Sequence, residues 1–287
     1  MDIIRAIGKR LQRLSNPRIQ VLSDLHLEIG QQYTSYSFPT SAPLLLLAGD
    51  IGRLIDYDGY LHFLNAQVLR YRKVFLVLGN HEFYGLDYDA GLKQAQRLAA
   101  EPSLAAGLIL LHKAQWNDPE SSLTILGCTL WSMIPEDRHD LVKSKISDFR
   151  MIGEWTPLRH NQVHAEEASW LREQVIQLMS RVQNGADRQL LVATHHAPCT
   201  EGTSKPEHSA NLWTPAFATD LIHQESWRGV KTWVFGHTHY STTFRRNGIR
   251  LVANQRGYVF PNSKAMGNEG KTKKTRHEFD AARFVSI

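Results

Sequence analysis

Between Arg18 and Phe235 the chain repeats one pattern: a short apolar run, rich in Leu or β-branched residues, broken off by polar residues and glycine. The runs are Arg18–Leu22, Leu44–Ala48, Val74–Leu78, Leu108–Leu111, Leu123–Leu126, Leu190–Thr194 and Thr232–Phe235. Continuous apolar runs of this length, bounded by turn formers, predict strands covered on both faces. Helices are predicted between several of them, over Gly59–Tyr71, Asp87–Ala99, His164–Val182 and Pro215–Gln224. In the third, Ala168, Leu171, Val175 and Leu178 recur at helical spacing and form one apolar stripe. This alternation, followed by a β-rich end (Ser241–Arg246, Ile249–Ala253 and Phe284–Ile287), predicts a layered α/β sandwich. No internal repeat or linker divides the pattern, so one domain is expected over residues 17–287.

Two segments break the rhythm. Ser132–Val163 carries Pro135, Pro157 and many charges with little periodicity, and reads as a loop or cap over the sheet edge. Asn262–His277 contains two glycines and the run Lys271, Lys273, Lys274, Arg276, and reads as an exposed mobile loop. The first residues, MDIIRAIGKRLQRL, read as a short basic amphipathic helix over 1–16 on the domain edge. They lack the apolar run and cleavage site of a signal peptide, and a mitochondrial presequence or a membrane-surface helix is the lesser alternative. No stretch approaches the 18 or so apolar residues of a membrane span, so no transmembrane segment is expected.

Composition adds three constraints. Hydrophobic residues at 42% and charged residues at 21% exclude disorder along the whole chain. Lys+Arg 33 against Asp+Glu 28 gives a net charge of +5, which favours anionic substrates without demanding a nucleic-acid partner. Two cysteines, Cys128 and Cys199, exclude a disulfide framework, so a reducing, cytoplasmic setting is expected. Histidine is unusually frequent, 14 of 287 residues, which directs attention to metal chemistry.

Five polar clusters follow apolar runs, where open α/β sheets place ligands. They are Ser23-Asp24-Leu25-His26, Gly49-Asp50-Ile51-Gly52, Gly79-Asn80-His81-Glu82, Thr194-His195-His196-Ala197-Pro198 and Gly236-His237-Thr238-His239. A carboxylate and an imidazole two residues apart suit a divalent ion of intermediate hardness. Taken singly, each cluster also reads as a turn Asp, a capping Asn or a core histidine. A buried His-x-His with no ion or partner leaves polar groups unsatisfied at a cost of several kcal/mol. Five such clusters in order make coincidence a poor account.

The series Asp24-x-His26, Gly49-Asp50, Gly79-Asn80-His81-Glu82, His195 and Gly236-His237-x-His239 resembles the calcineurin-like metallophosphoesterases. Asn254-Gln255-Arg256-Gly257-Tyr258 is also similar to a late Asn-x-Arg-Gly-Tyr segment of small bacterial and fungal-type members. The resemblance implies a four-layer α/β/β/α sandwich with a two-metal site at its strand ends. It implies that Asp24, His26 and His239 hold one ion, that Asn80, His195 and His237 hold the other, and that Asp50 bridges them. His81 would face the leaving group without being a ligand. His195 rather than His196 would be the ligand, leaving His196 in a supporting or substrate-side place. Glu82 has no settled role.

Phosphate esters resist attack because the reacting centre is shielded by negative charge. Two cations about 3.5–4 Å apart cancel that charge, and a water bridging them is acidified to hydroxide near neutral pH. Nitrogen and oxygen ligands without thiolate suit two divalent or mixed-valence ions of Mn, Fe, Zn or Co. Arg53 and Arg256 are candidates to pair with the phosphoryl oxygens. The expected activity is metal-dependent hydrolysis of a small phosphomonoester or phosphodiester. A nuclease is one alternative, and a non-catalytic metal-binding scaffold of the same fold is another. The substrate wall is expected from Ser132–Val163 and Lys205–Pro215, with Trp131, Trp155, Trp213 and His208 as candidates for stacking. No motif specifies the oligomeric state.

Overall fold

Strands β1 (Arg18–Leu22) and β2 (Leu44–Ala48) show why continuous apolar runs are needed here. All of β2 is buried, and its alternate residues enter different cores. Leu45 and Leu47 join one cluster, and Leu44, Leu46 and Ala48 another, as the two-residue period of a strand dictates. The computed structural model describes residues 17–182, 188–208, 210–223, 227–260 and 277–287, and this partition holds through its two sheets. The basic helix read over 1–16 and the basic run within 262–277 lie outside the described residues, apart from His277.

The remaining strands are β3 (Lys73–Val77), β4 (Leu108–Leu110), β5 (Ala114–Asn117), β6 (Leu123–Cys128), β7 (Gln189–Thr194), β8 (Val230–Phe235), β9 (Thr242–Arg246), β10 (Ile249–Ala253) and β11 (Phe284–Ser286). One sheet runs β11-β1-β2-β3-β4, the other β5-β6-β7-β8-β10-β9. Only β11, β5 and β9 pair antiparallel, each at a sheet edge. The inner strands are therefore parallel, and the residues that follow β1, β2 and β3 and those that follow β7 and β8 gather at the strands' C-terminal ends.

Between the sheets lies a dry core that includes Val21, Phe75, Ile125, Leu191, Val234 and Val252. Helices α1 (Tyr57–Val68) and α2 (Tyr88–Ala99) cover the outer face of the first sheet, where Phe63, Leu64, Ala95 and Leu98 share a cluster with Leu45, Leu47 and Leu76. In the insert lie α3 (His139–Lys145) and α4 (Asp148–Met151). The long helix α5 (Pro157–Val182) covers the second sheet with Ala168, Leu171 and Val175 against Val192, Trp233 and Phe235. Helix, sheet, sheet and helix form the four expected layers. Each fully buried Leu or Val contributes about 1.5–3 kcal/mol, so three apolar interfaces hold the strand ends firmly. Among the described residues no helix is long and apolar enough to cross a membrane.

Three sequence readings are corrected. The segment Ser132–Val163 contains α3, α4 and the start of α5, because Pro157 opens a helix rather than breaking one. Proline suits the first helical position, and the Thr156 hydroxyl accepts from Arg159 N at 3.1 Å there. Among the described residues, the helix expected over Pro215–Gln224 is a short 3₁₀ turn, Thr214–Ala216. The backbone beyond it pairs with Ala197 instead, through Ala197 N to Phe217 O and Thr219 N to Ala197 O, both 3.1 Å. Strand β5 was missed because Ala-Gln-Trp-Asn has no β-branched residue; it alternates half-buried and exposed at the sheet edge, where Trp116 packs on Phe75.

Glu167 of α5 is fully buried, with His112 Nδ1 3.8 Å from one carboxyl oxygen. Burial pushes its carboxyl from 4.5 up to about 8. Above pH 4.5 the unfolded chain releases this proton while the folded chain keeps it, so stability falls until about pH 8. Glu167→Gln is expected to raise the melting temperature at pH 8 and to leave it nearly unchanged at pH 4. Equal shifts at both pH values would show that folding leaves the titration of this carboxyl unchanged.

Candidate metal centre

The loops after the parallel strands are tied to one another by backbone hydrogen bonds. Asp24 N donates to Gly49 O (3.0 Å), His26 N to Asp50 O (3.0 Å), and Gly236 N to His195 O (2.9 Å). This lacing holds Asp24, His26, Asp50, His237 and His239 in the left-handed backbone region, with φ between 48° and 71°. Non-glycine residues there are strained by about 1–3 kcal/mol each, and such strain collects at functional sites. Two glycines make room. A Cβ on Gly49 would lie 2.3 Å from His195 Nδ1, and one on Gly79 would lie 2.2 Å from Asp50 Oδ1.

Three sets of ligand atoms each gather within 4.8 Å: Asp24–His26–His239, Asp50–His195–His237 and His26–Asp50–His81. Asp50 reaches both sides, with Oδ2 3.8 Å from His26 Nε2 and Oδ1 3.4 Å from His195 Nε2. Asn80 joins the second set, its Oδ1 3.1 Å from His195 Nε2. All these residues except His81 and His239 are buried.

The donor chemistry fits cations. His195 turns Nδ1 to the carbonyl of Ala48 at 3.0 Å, and a neutral ring donating there would turn its Nε2 lone pair toward Asn80 Oδ1 and Asp50 Oδ1. A ligating histidine is oriented in this way by its second nitrogen. His26 likewise turns Nδ1 toward Glu28 (3.2 Å), leaving Nε2 2.9 Å from His239 Nε2. His237 Nε2 is buried without a hydrogen-bond partner. Imidazole nitrogens gathered with carboxylate and amide oxygens, with no thiolate present, make a donor set that suits a divalent transition ion.

Three acidic residues support the centre, and their roles follow only from long-range contacts. Glu82 accepts from the N–H groups of Gly79 (2.6 Å), Asp50 (2.9 Å), Ile51 (2.8 Å) and Gly52 (3.4 Å) and from the Tyr60 hydroxyl (2.9 Å). One carboxylate thus clamps the loops after β2 and β3, which fixes the backbone of Asp50. Asp148 of the insert accepts from Asn80 Nδ2 (2.8 Å) and the Tyr84 hydroxyl (2.6 Å). Holding the amide nitrogen aims the Asn80 oxygen at His195. Glu28 joins His26 Nδ1 and His81 Nδ1 (3.2 and 2.9 Å). Burial would raise the Glu28 carboxyl, but its hydrogen bonds to the two imidazoles lower it to about 2.

His81 stands at the rim of the centre. Its ring stacks on Tyr84 at 4.1 Å, and Nε2 lies 3.1 Å from the hydroxyl of Tyr258. Burial disfavours its protonation, yet Asp50 and Glu28 raise it to about 9. A calcineurin-like phosphoesterase family model matches residues 17–241. The chain belongs to the calcineurin-like phosphoesterases. This phosphoesterase is 27% identical over 262 residues to Uncharacterized protein L509 of Acanthamoeba polyphaga mimivirus, covering 84% of the chain and 91% of that protein. Among solved structures it is similar to phosphopantetheinyl hydrolase (PptH) from Mycobacterium tuberculosis, with a TM-score of 0.60 and 21% identity over 85% of this chain and 90% of that one. At that identity the likeness speaks for the fold alone.

Beside the centre the phosphoesterase has a cavity of about 550 Å³. Asp50, Asn80, His81, His237 and His239 line it together with Lys145–Asp148 of the insert and residues from Ser204 to Phe217. Both segments expected to form a substrate wall are therefore in place. Trp213 and His208 line the cavity, whereas Trp131 and Trp155 are buried in the core against Tyr88.

Three other candidate residues lie off the cavity wall. Arg53 does not line the cavity; its guanidinium is held bidentately by Asp56, with both contacts at 3.0 Å. Arg256 is spent on Leu25 O (3.0 Å) and Gln32 Oε1 (2.7 Å) and lies over the Tyr36 ring at 4.3 Å. It ties the late segment to the first loop and does not line the cavity. His196 is fully buried, 4.1 Å from the His237 ring and 5.2 Å from Trp131, so of its two expected places it takes the supporting one, behind a candidate ligand.

Proposed function

We propose that the protein hydrolyses a phosphomonoester or phosphodiester of a small molecule at a centre of two transition-metal ions. Asp24, His26 and His239 hold one ion, Asn80, His195 and His237 hold the other, and Asp50 serves both. The observation that carries this reading is Asp50 itself, a single carboxylate with one oxygen directed to each histidine set. Two such cations supply positive charge for the phosphoryl oxygens and an acidified water near neutral pH.

The chain's own residues complete the chemistry. Glu28 and the Tyr84 ring fix His81, so that its Nε2 is the nitrogen that can carry a proton to a departing oxygen. The Tyr258 hydroxyl at 3.1 Å occupies a position that a leaving oxygen could take. General acid help of this kind contributes about 10²–10⁴-fold. Glu82 and Asp148 keep Asp50 and Asn80 aimed while substrate binds, which limits reorganisation during reaction.

The test is turnover of bis(p-nitrophenyl) phosphate and p-nitrophenyl phosphate by purified protein after chelation and after reloading with Mn²⁺, Zn²⁺ or Co²⁺. Turnover that disappears on chelation and returns with metal is expected, with two metal equivalents bound per chain. Protein that binds two equivalents but turns over neither ester overturns the hydrolase reading in favour of a scaffold.

A further inference from the structure

Resting on the hydrolase reading, we infer that the substrate is a phosphoester whose organic part carries a flat ring and, beyond it, a second anionic group, as nucleotides do. The cavity of about 550 Å³ falls within the range that encloses a drug-sized ligand and is far larger than a phosphoryl group needs. Its lining joins the metal centre to two aromatic rings and a lysine. Phe217 stacks on the candidate ligand His237 at 4.7 Å and 28°. The 3₁₀ turn Thr214–Ala216 then leads back to Trp213, roughly 8 Å along the backbone at the rise of such a turn. Lys145 lies 6.0 Å from the centre of the Trp213 ring.

Phe217 and Trp213 both line the cavity and are anchored beneath by Ile134, Val142 and Ala216, so they present apolar surface on a fixed support. Beside them the wall carries two ammonium groups, those of Lys145 and Lys205, with His208 also in the lining. Glu207 sits 3.8 Å from Lys205 and 3.7 Å from His208 but is itself about two-thirds exposed. Among the described residues no carboxylate lies within ion-pair distance of Lys145. Aromatic faces followed by ammonium groups match a ring followed by a phosphate or carboxylate.

The test compares two substrates with one leaving group: the p-nitrophenyl ester of thymidine monophosphate, and the same ester carrying a second phosphate on the sugar. The second phosphate is expected to raise kcat/KM about tenfold, mainly through KM. In the double variant Lys145→Ala/Lys205→Ala the ratio between the two esters is expected to fall to about one, and Lys145→Arg/Lys205→Arg to restore most of it. Equal kcat/KM for both esters in the wild type, or an advantage that survives the alanine pair, overturns the inference. Calorimetric titration with adenosine bisphosphate against adenosine monophosphate reads the same contrast without turnover. Failure of hydrolysis alone is thus distinguishable from failure of the cationic wall: equal affinities overturn the wall, and tighter bisphosphate binding lost in the alanine pair supports it.

Discussion

Asp50→Asn is expected to lower turnover of bis(p-nitrophenyl) phosphate at least about a thousandfold and to reduce bound metal below two equivalents per chain. The amide keeps the size of the carboxylate but has one oxygen and no charge. One of its ends must present N–H₂ to a histidine set, where Asp50 now directs one oxygen toward His26 and the other toward His195. The fold should survive, because asparagine tolerates the left-handed conformation that Asp50 adopts (φ 52°) better than most residues. An unchanged melting temperature with activity lost separates the site from the scaffold. Elemental analysis beside the rate decides the matter, since full turnover with two ions bound would leave Asp50 no bridging part.

For His81→Ala the expected result is different in kind. Metal content should stay at two equivalents, while the rate on alkyl esters with poor leaving groups falls by about 10²–10⁴-fold. Esters of p-nitrophenol, which leave without a proton, should lose far less. Rates across a series of leaving groups therefore rise in sensitivity to leaving-group basicity in the variant. The geometry makes the alternative outcome informative, because His81 also gathers with His26 and Asp50 within 4.8 Å. Loss of an ion on substitution would place His81 among the ligands, and a uniform loss across all leaving groups would remove it as proton donor.

Much of this was legible in the sequence because the strands are covered on both faces. A strand such as Leu44–Ala48 has no polar side to blur its run, so the polar residues that follow it stand out as strand ends. Asp24, His26, Asp50, Asn80, His195, His237 and His239 were all marked in that way. What was not legible depends on partners distant in the chain. Nothing near Glu82 shows that it accepts from the backbone N–H groups of residues 50–52, and nothing near Asp148 shows that it holds Asn80, 68 positions earlier. The partners of Arg53 and Arg256 were hidden as well. Each looked available beside a motif, and each is engaged by a neighbour in space, Asp56 in one case and Gln32 in the other. Local helix rules failed at Thr219 because pairing with Ala197 takes the hydrogen bonds that a helix would use.

The five site residues held at positive φ set activity and robustness against each other. Glycine at position 24, 26, 50, 237 or 239 would relax the backbone strain locally, at the loss of a side chain of the centre. Screens of this chain that select only for heat resistance should therefore accumulate inactive survivors, and they should do so at the very positions that matter most for turnover.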